Sequence, residues 1–258
     1  MGDLDGRVAV VTGGARGIGL ECARCMSEQG ALLVIADIDH DEAVKGAESM
    51  PGRAVAIEHD VTDAAASVKL AQFTAETFGQ VDILVNNAGI NVQASATVDV
   101  PEEVFDRIMN VNVKGMFLVT KAFLPALIER RQQGRIINMS SIVGHKGVPL
   151  VLPYSASKFA VVGMSQSLAG ELAPTGVTVN TVHPGIVDTS LHDTVTSGWA
   201  AIRNESFEET WEWFRSQVPQ GEYQTAGDIA EVVAFLASDR AKHITGTAIE
   251  IDGGILMR

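Results

Sequence analysis

This 258-residue sequence is sparing with several residue types, and each scarcity removes a class of function. Its two cysteines, Cys22 and Cys25, sit together in "ECARC". One C-x-x-C pair can do redox chemistry or supply half of a zinc site, but no second pair and no histidine cluster completes a metal site. The segment reads as a helix after a glycine-rich turn, so two buried small side chains are the preferred reading, and no metal is expected. Cations are short too: 19 Lys and Arg face 32 Asp and Glu, for a formal net charge of -13 and a pI near 4.8. That balance argues against a general role on nucleic acid or an anionic membrane, although a local basic pocket can still serve an anionic substrate. Apolar runs are short, and the longest, such as "ALLVIA" (31–36), have strand length. The start, "MGDLDGRVAVV", lacks a signal peptide's basic region, and Gly6 stands where a myristoylation signal wants Ser or Thr. A cytoplasmic protein is expected.

What is present is an alternation. Val/Ile/Leu-rich runs at 7–12, 32–37, 54–60, 81–87, 135–140, 177–184 and 248–252 predict strands. Helical patterns fall between them, at 18–29, 41–49, 64–78, 102–130, 156–173 and 227–237. Nearly continuous apolar strands separated by helices predict an α/β fold: a doubly wound parallel sheet of Rossmann type, covered on both faces. No repeat, low-complexity tract or Pro/Ser linker divides the chain, so residues 1–258 are read as a single domain. The longest irregular stretch, 188–225, follows the sixth strand and holds all three tryptophans, Trp199, Trp211 and Trp213. Ligands of such folds bind outside the carboxyl ends of the strands, which makes this stretch a candidate lid insertion.

"VVTGGARGIGLE" places Gly13, Gly17 and Gly19 between the first strand and the first helix. Glycines permit the tight turn and let backbone approach a pyrophosphate lying at the positive end of the helix. The spacing is G-x-x-x-G-x-G, unlike the commonest dinucleotide fingerprint. Asp37 ends the next strand, where a carboxylate hydrogen-bonds the adenosine ribose of NAD and repels a 2′-phosphate; helix N-capping is its other reading. Arg16, inside the loop, argues for a phosphorylated cofactor, but a carboxylate aimed at the ribose should outweigh it. Asp37, Asp39, Asp41 and Glu48 also fall at calcium-loop spacing. Glu42 occupies the position where that loop needs glycine, so calcium is rejected.

Tyrosine is the most telling scarcity. Tyr154 is one of two, and in "YSASK" it precedes Lys158 by a helical turn. A phenol is a poor base near neutral pH, and a cation beside it favours the phenolate. The pair is therefore either a tuned proton-transfer couple or a solvated helix start.

Taken in order, "TGGARGIG" (12–19), "DV" (60–61), "NNAG" (86–89), "NVKG" (112–115), "SS" (140–141), "YSASK" (154–158) and "HPGIVDT" (183–189) resemble the short-chain dehydrogenase/reductase family over essentially the whole chain. The resemblance implies roles position by position. Tyr154 would be the general acid/base, Lys158 would lower its pKa and hold the nicotinamide ribose, and Ser141 would hydrogen-bond the substrate oxygen. Asn112 would hold a water in a proton relay. Backbone around Arg16 and Ile18 would meet the pyrophosphate, Asp60 and Val61 would flank the adenine, and Asn87 would lie near the adenosine ribose. Val187 and Thr189 would meet the carboxamide. Singly, Ser141 could end a strand, Asn112 could satisfy buried backbone and Asn87 could serve a turn; the ordered set is what favours the catalytic reading.

The resemblance implies an NAD-dependent dehydrogenase of a secondary alcohol, such as a polyol or diol, assembled as a homotetramer with the C-terminal segment near a subunit contact. An NADPH-linked ketoreductase of 3-oxoacyl type is the alternative. A catalytically silent NAD-binding sensor is disfavoured because it needs no Asn–Ser–Tyr–Lys set. A sugar-nucleotide epimerase is disfavoured by the glycine spacing. Candidate pocket residues are His145, Lys146, Val148, 151–153 and the lid. Its aromatics (Phe207, Trp211, Trp213, Phe214) read either as a cover over substrate or as anchors of an amphipathic helix. His192 is a weaker pocket candidate, since an unpaired histidine is more often an ordinary exposed residue than a ligand.

Overall fold

A computed structural model describes residues 2–257. Seven strands, β1 (Val8–Thr12), β2 (Leu32–Asp37), β3 (Ala54–Glu58), β4 (Ile83–Asn86), β5 (Arg135–Met139), β6 (Thr178–Pro184) and β7 (Ala248–Ile251), form one sheet in the order β3-β2-β1-β4-β5-β6-β7. Every neighbouring pair is parallel. Because successive side chains leave a strand on opposite faces, the inner strands feed two cores. Ala9, Val11, Leu33, Ile35, Ile83 and Val85 pack on one face, under α1 (Gly17–Glu28) and the C-terminal helix. Val10, Val34, Ala36, Leu84 and Ile136 pack on the other, with Leu70, Val119, Phe123 and Leu127 from the covering helices. This two-sided burial is why the strands read as continuous apolar runs rather than alternating ones.

The helices are α1, α2 (His40–Glu48), α3 (Ala64–Phe78), α4 (Glu102–Met109), α5 (Met116–Glu129), α6 (Leu152–Leu172), α7 (Ser190–Arg203), α8 (Phe207–Ser216) and α9 (Ala226–Ala237). Three differ from the sequence pattern. The single helix predicted over 102–130 is interrupted by a π-helical segment, Asn110–Gly115. The helix predicted from 156 starts at Leu152, with Pro153 in its first turn, where the missing N–H costs nothing. The stretch 188–225 is largely helical rather than irregular: α7 ends on Asn204 at φ +55, and α8 opens with a Ser206–Glu209 capping box. Together α7 and α8 form an insertion after β6.

The run 102–129 is long and apolar enough, by length and composition, to cross a membrane. In the fold, its Val119, Phe123 and Leu127 are buried in the sheet's second core. Cys22 and Cys25 lie on the face of α1 that packs in the first core with α9, and both are free. Burial pushes both thiols up, Cys25 to about 11, which makes them inert packing groups. Asp39 caps α2, accepting from the Glu42 N–H, so the acidic spacing around it belongs to a helix start.

Candidate active site

The chain leaves β1 one way to β2 and β3 and returns to β4 on the other side, so a crevice opens beyond the carboxyl ends of β1 and β4. Glycines shape its floor. A Cβ on Gly13 would lie 2.8 Å from the Ala88 Cα, and one on Gly19 would lie 2.2 Å from the Gly13 carbonyl oxygen. Gly13 and Gly17 also take φ values of +62 and +55. A Cβ on Gly17 would meet nothing nearer than Thr189 Cγ2 at 3.8 Å, so here bare backbone faces open space. Asn87 locks the turn: its Nδ2 donates to the carbonyls of Thr12 (3.1 Å) and Gly13 (2.8 Å). Arg16, at the N-cap of α1, makes no side-chain cap, which leaves the first helical N–H groups for an anion. These features fit a dinucleotide pyrophosphate. Gly19→Ala is expected to lower Tm by several degrees, since overpacking costs about 1–3 kcal/mol, and to weaken dinucleotide binding in a calorimetric titration. An unchanged Tm would mean the turn relaxes around the methyl.

Asp37, half-buried at the end of β2, accepts from the backbone N–H groups of Ala15 and Asp39, each at 3.0 Å. These bonds hold its carboxylate in the crevice wall beside the glycine loop. The Arg16 guanidinium turns to Asp39 in an exposed ion pair. Such a pair is weak, but it turns the one loop cation toward an acidic side chain. Asp60 accepts twice from Thr62, each at 2.8 Å, and Val61 is buried below it; both line the crevice.

The second half of the site is built by α6. Tyr154 and Lys158 lie a turn apart on its buried face, 8% and 5% exposed. The lysine Nζ stands 5.5 Å from the Tyr154 ring centre and donates to the Met139 carbonyl at 2.8 Å. Burial therefore governs both groups. It pushes the phenol up to about 12, partly offset by the Ser141 hydroxyl bonded to it, and pushes the ammonium down to about 8. Burial is thus the dominant cause for both groups, and the ammonium is tied to β5 through the Met139 carbonyl.

Ser141 caps the short turn after β5, its Oγ accepting from the Val143 N–H at 3.3 Å. Behind it, the fully buried His183 bonds the Ser141 carbonyl through Nδ1 and the Thr181 hydroxyl through Nε2, each at 2.8 Å. A carbonyl only accepts, so Nδ1 carries the proton. His183 thus positions Ser141, a role its sequence gave no sign of. Asn112 lies on the π-helical segment, a feature frequent at functional sites. Its Oδ1 accepts from the Ile90 N–H (2.8 Å), and its Nδ2 donates to the Ile90 carbonyl (2.9 Å) and to Ser157 Oγ (3.1 Å). Asn112 thus satisfies the Ile90 backbone, and its Oδ1 and the Lys158 Nζ lie on the same side of Gly89, 3.3 and 3.7 Å from where a Cβ would stand.

Ser141, Tyr154 and Lys158 open on a cavity of about 330 Å³ that shares Ile18, Asn87, Gly89 and Thr189 with the dinucleotide crevice. Val187, bridged to Gln224, forms its wall. Of the predicted pocket residues, Val148 and Val151 line the cavity. His145 instead turns to Glu250 at 3.0 Å and packs on the His183 ring, and Lys146 lies outside the lining. The insertion supplies the roof through Val195, Trp199, Trp213 and Phe214, while Phe207 and Trp211 stack outside it toward Tyr223. Trp213 and Phe214 thus face the cavity, whereas Phe207 and Trp211 pack outside it. His192 is not an ordinary exposed residue: it lines the cavity and packs on Trp211 and Phe214, each at 4.9 Å, and burial lowers its pKa to about 4. Gln217, from the predicted lid, also lines the cavity, as do Asn91 and Ile255, which the sequence did not point to because tertiary packing alone brings them here. Among the described residues no group of His, Cys, Asp and Glu is placed to hold a metal.

Comparison with known proteins agrees with this geometry. A family model described as enoyl-(acyl carrier protein) reductase matches residues 13–256. A 3-oxoacyl-(acyl-carrier-protein) reductase of Thermotoga maritima is 36% identical over 98% of this chain and 99% of its own. Galactitol 2-dehydrogenase of Agrobacterium fabrum is 37% identical over 97% and 98%. The structure of a 3-ketoacyl-(acyl-carrier-protein) reductase from Brucella melitensis complexed with NADH superposes with a TM-score of 0.89, at 34% identity over 98% of this chain and 100% of that one. The chain is an oxidoreductase belonging to the short-chain dehydrogenase/reductase family.

Proposed function

We propose that this protein is an NAD-dependent dehydrogenase that interconverts a secondary alcohol and its ketone, with Ser141, Tyr154, Lys158 and Asn112 as its working set. The carrying observation is the continuity of the dinucleotide crevice with the cavity beneath Tyr154, through Ile18, Asn87, Gly89 and Thr189. NAD, when bound, supplies the hydride acceptor. Gly13, Gly17, Gly19, Arg16 and Ile18 would hold its pyrophosphate, Asp37 the adenosine ribose, and Asp60, Val61 and Asn87 the adenine side. Val187 and Thr189 would meet the carboxamide. Ser141 then holds the substrate oxygen, Tyr154 takes the alcohol proton at its phenolic oxygen, and Lys158 supplies positive charge beside it. Asn112 keeps the Ile90 backbone in place next to the lysine and carries the outward proton relay.

Preference for NAD over NADP rests on Asp37 and on the pairing of Arg16 with Asp39. The test is formation of reduced nicotinamide with each dinucleotide. Asp37→Ser is expected to lower the NAD:NADP ratio of kcat/KM by at least about tenfold, or about 1.4 kcal/mol. A wild type that prefers NADP would overturn this use of Asp37. It would favour instead an NADPH-linked ketoreductase, the reading supported by Arg16 and by the 3-oxoacyl reductases among the relatives. We further infer a cytoplasmic homotetramer; half-exposed Phe105, Phe117 and Phe159 on α4, α5 and α6 support subunit contacts.

A further inference from the structure

The relatives of this chain include a dehydrogenase of a polyol and reductases of acyl thioesters, so family membership leaves the substrate's chemical class open. The cavity narrows it. Among the described residues that line it, Lys158 is the one with formal charge, and the mechanism proposed above uses that lysine. The remaining surface is largely branched aliphatic and aromatic: Ile142, Val148, Val151, Ile186, Trp199 and Trp213 are representative. Of the polar side chains beyond Ser141 and Tyr154, Asn87 and Thr189 are shared with the crevice and the Ser140 hydroxyl donates to the Lys158 carbonyl, which leaves the amides of Asn91 and Gln217 and the imidazole of His192. Burial holds that imidazole neutral above about pH 4, so it adds no cation.

The aromatic roof is braced. Trp213 lies 5.4 Å from Trp199 with the rings 26° from parallel, and Phe214 packs 4.9 Å from it. The Arg203 guanidinium covers Trp213 at 4.4 Å while donating twice to Glu205, at 2.6 and 2.9 Å. The ring over the cavity is therefore held in position before any substrate arrives, which favours a flat apolar ligand.

We propose that the substrate is an uncharged, ring-bearing secondary alcohol or ketone, and that Trp213 determines this specificity. The proposal rests on the dehydrogenase reading. A polyol carries a hydroxyl on every carbon, and this lining would leave most of them desolvated without partners. A carboxylate or phosphate at the same depth would find no cation other than Lys158. A ring loses neither and gains apolar burial against Trp213 and Trp199. The volume, about 330 Å³, lies at the lower end of small-molecule sites, roughly 300–1,000 Å³, and suits one or two rings.

The test is kcat/KM with saturating NAD for 1-phenylethanol, cyclohexanol, 2-butanol, galactitol and 3-hydroxybutyrate. The two ring alcohols are expected to exceed galactitol and 3-hydroxybutyrate by at least about 100-fold. Trp213→Ala should lower kcat/KM for 1-phenylethanol by about tenfold or more, mainly through KM, while leaving 2-butanol within about threefold. Galactitol or 3-hydroxybutyrate matching the ring alcohols would overturn the proposal, as would an equal loss for every substrate in the variant. Should NAD bind without turnover of any alcohol, the dehydrogenase reading fails by itself. The cavity is then judged by calorimetric titration of the NAD complex with acetophenone and with galactitol. Binding of acetophenone that Trp213→Ala weakens upholds the apolar class, and tighter binding of galactitol, or no binding, sinks it.

Discussion

Tyr154→Phe is expected to lower kcat by roughly 10²–10⁴-fold, the range that a positioned acid/base contributes, while leaving dinucleotide affinity and KM within a few-fold. The ring is buried in the cluster formed by Val92, Ile108, Val143 and Val151, and phenylalanine refills that space. What is lost is one oxygen atom, its bond to the Ser141 hydroxyl and its capacity to carry the alcohol proton. Stability should change little, because removing the phenol and keeping the serine leaves a hydroxyl that already bonds the Val143 N–H. The measurement is steady-state formation of reduced nicotinamide beside a thermal melt and a calorimetric titration with NAD. Loss of kcat with intact binding places the proton transfer on the phenol. Retention of most of the wild-type rate in a folded variant would show that another group takes the proton.

The same residue shows what sequence does and does not disclose. The sheet was legible because its inner strands, such as β1, β2 and β4, are buried on both faces and so carry nearly unbroken Val/Ile/Leu runs. Gly13 and Asp37 were legible from the turns at the carboxyl ends of β1 and β2, whereas Asn87, Ser141 and Thr189 were placed only by the family resemblance; all five line the crevice or the cavity adjoining it. The stretch 188–225 reads as irregular because it holds no long apolar run, although its aromatics at 207–214 fall at helical spacing and α8 there is amphipathic. Its start signal was nevertheless present, in the Ser206–Glu209 spacing that closes as a capping box. The π-helical segment that carries Asn112 has no local signature, because it lies where α4 and the segment itself pack on α6. The bonds of His183 to Ser141 and of Lys158 to Met139 join residues 42 and 19 positions apart, and no local pattern announces either. The electrostatic consequence followed from that. Proximity of Tyr154 and Lys158 was readable, but their burial, which sets the direction of both pKa shifts, was not.

Lys158→Met should separate the two demands on this lysine, stabilising the protein without dinucleotide while removing most of its activity. Burial drives the ammonium from an ordinary value near 10.5 down to about 8 in the folded chain. The unfolded chain therefore holds that proton more tightly than the folded one across the window between these values. Stability rises with pH there, and the penalty is present in full below about 8 and gone above about 10.5. Methionine, of similar length and uncharged, removes the penalty. At pH 7 the expected gain is on the order of 1–3 kcal/mol, reduced by loss of the bond to the Met139 carbonyl, and it should vanish in melts above pH 10.5. Activity moves the other way. Alcohol oxidation needs Tyr154 as phenolate, and without a cation beside it the rising limb of the pH–rate profile is expected about one unit or more higher, with a loss of roughly 10²-fold or more near pH 8. A variant less stable than wild type at pH 7 would show that the Met139 bond outweighs the buried charge. An unshifted rising limb would show that Lys158 acts on binding alone and that the phenol is tuned by Ser141.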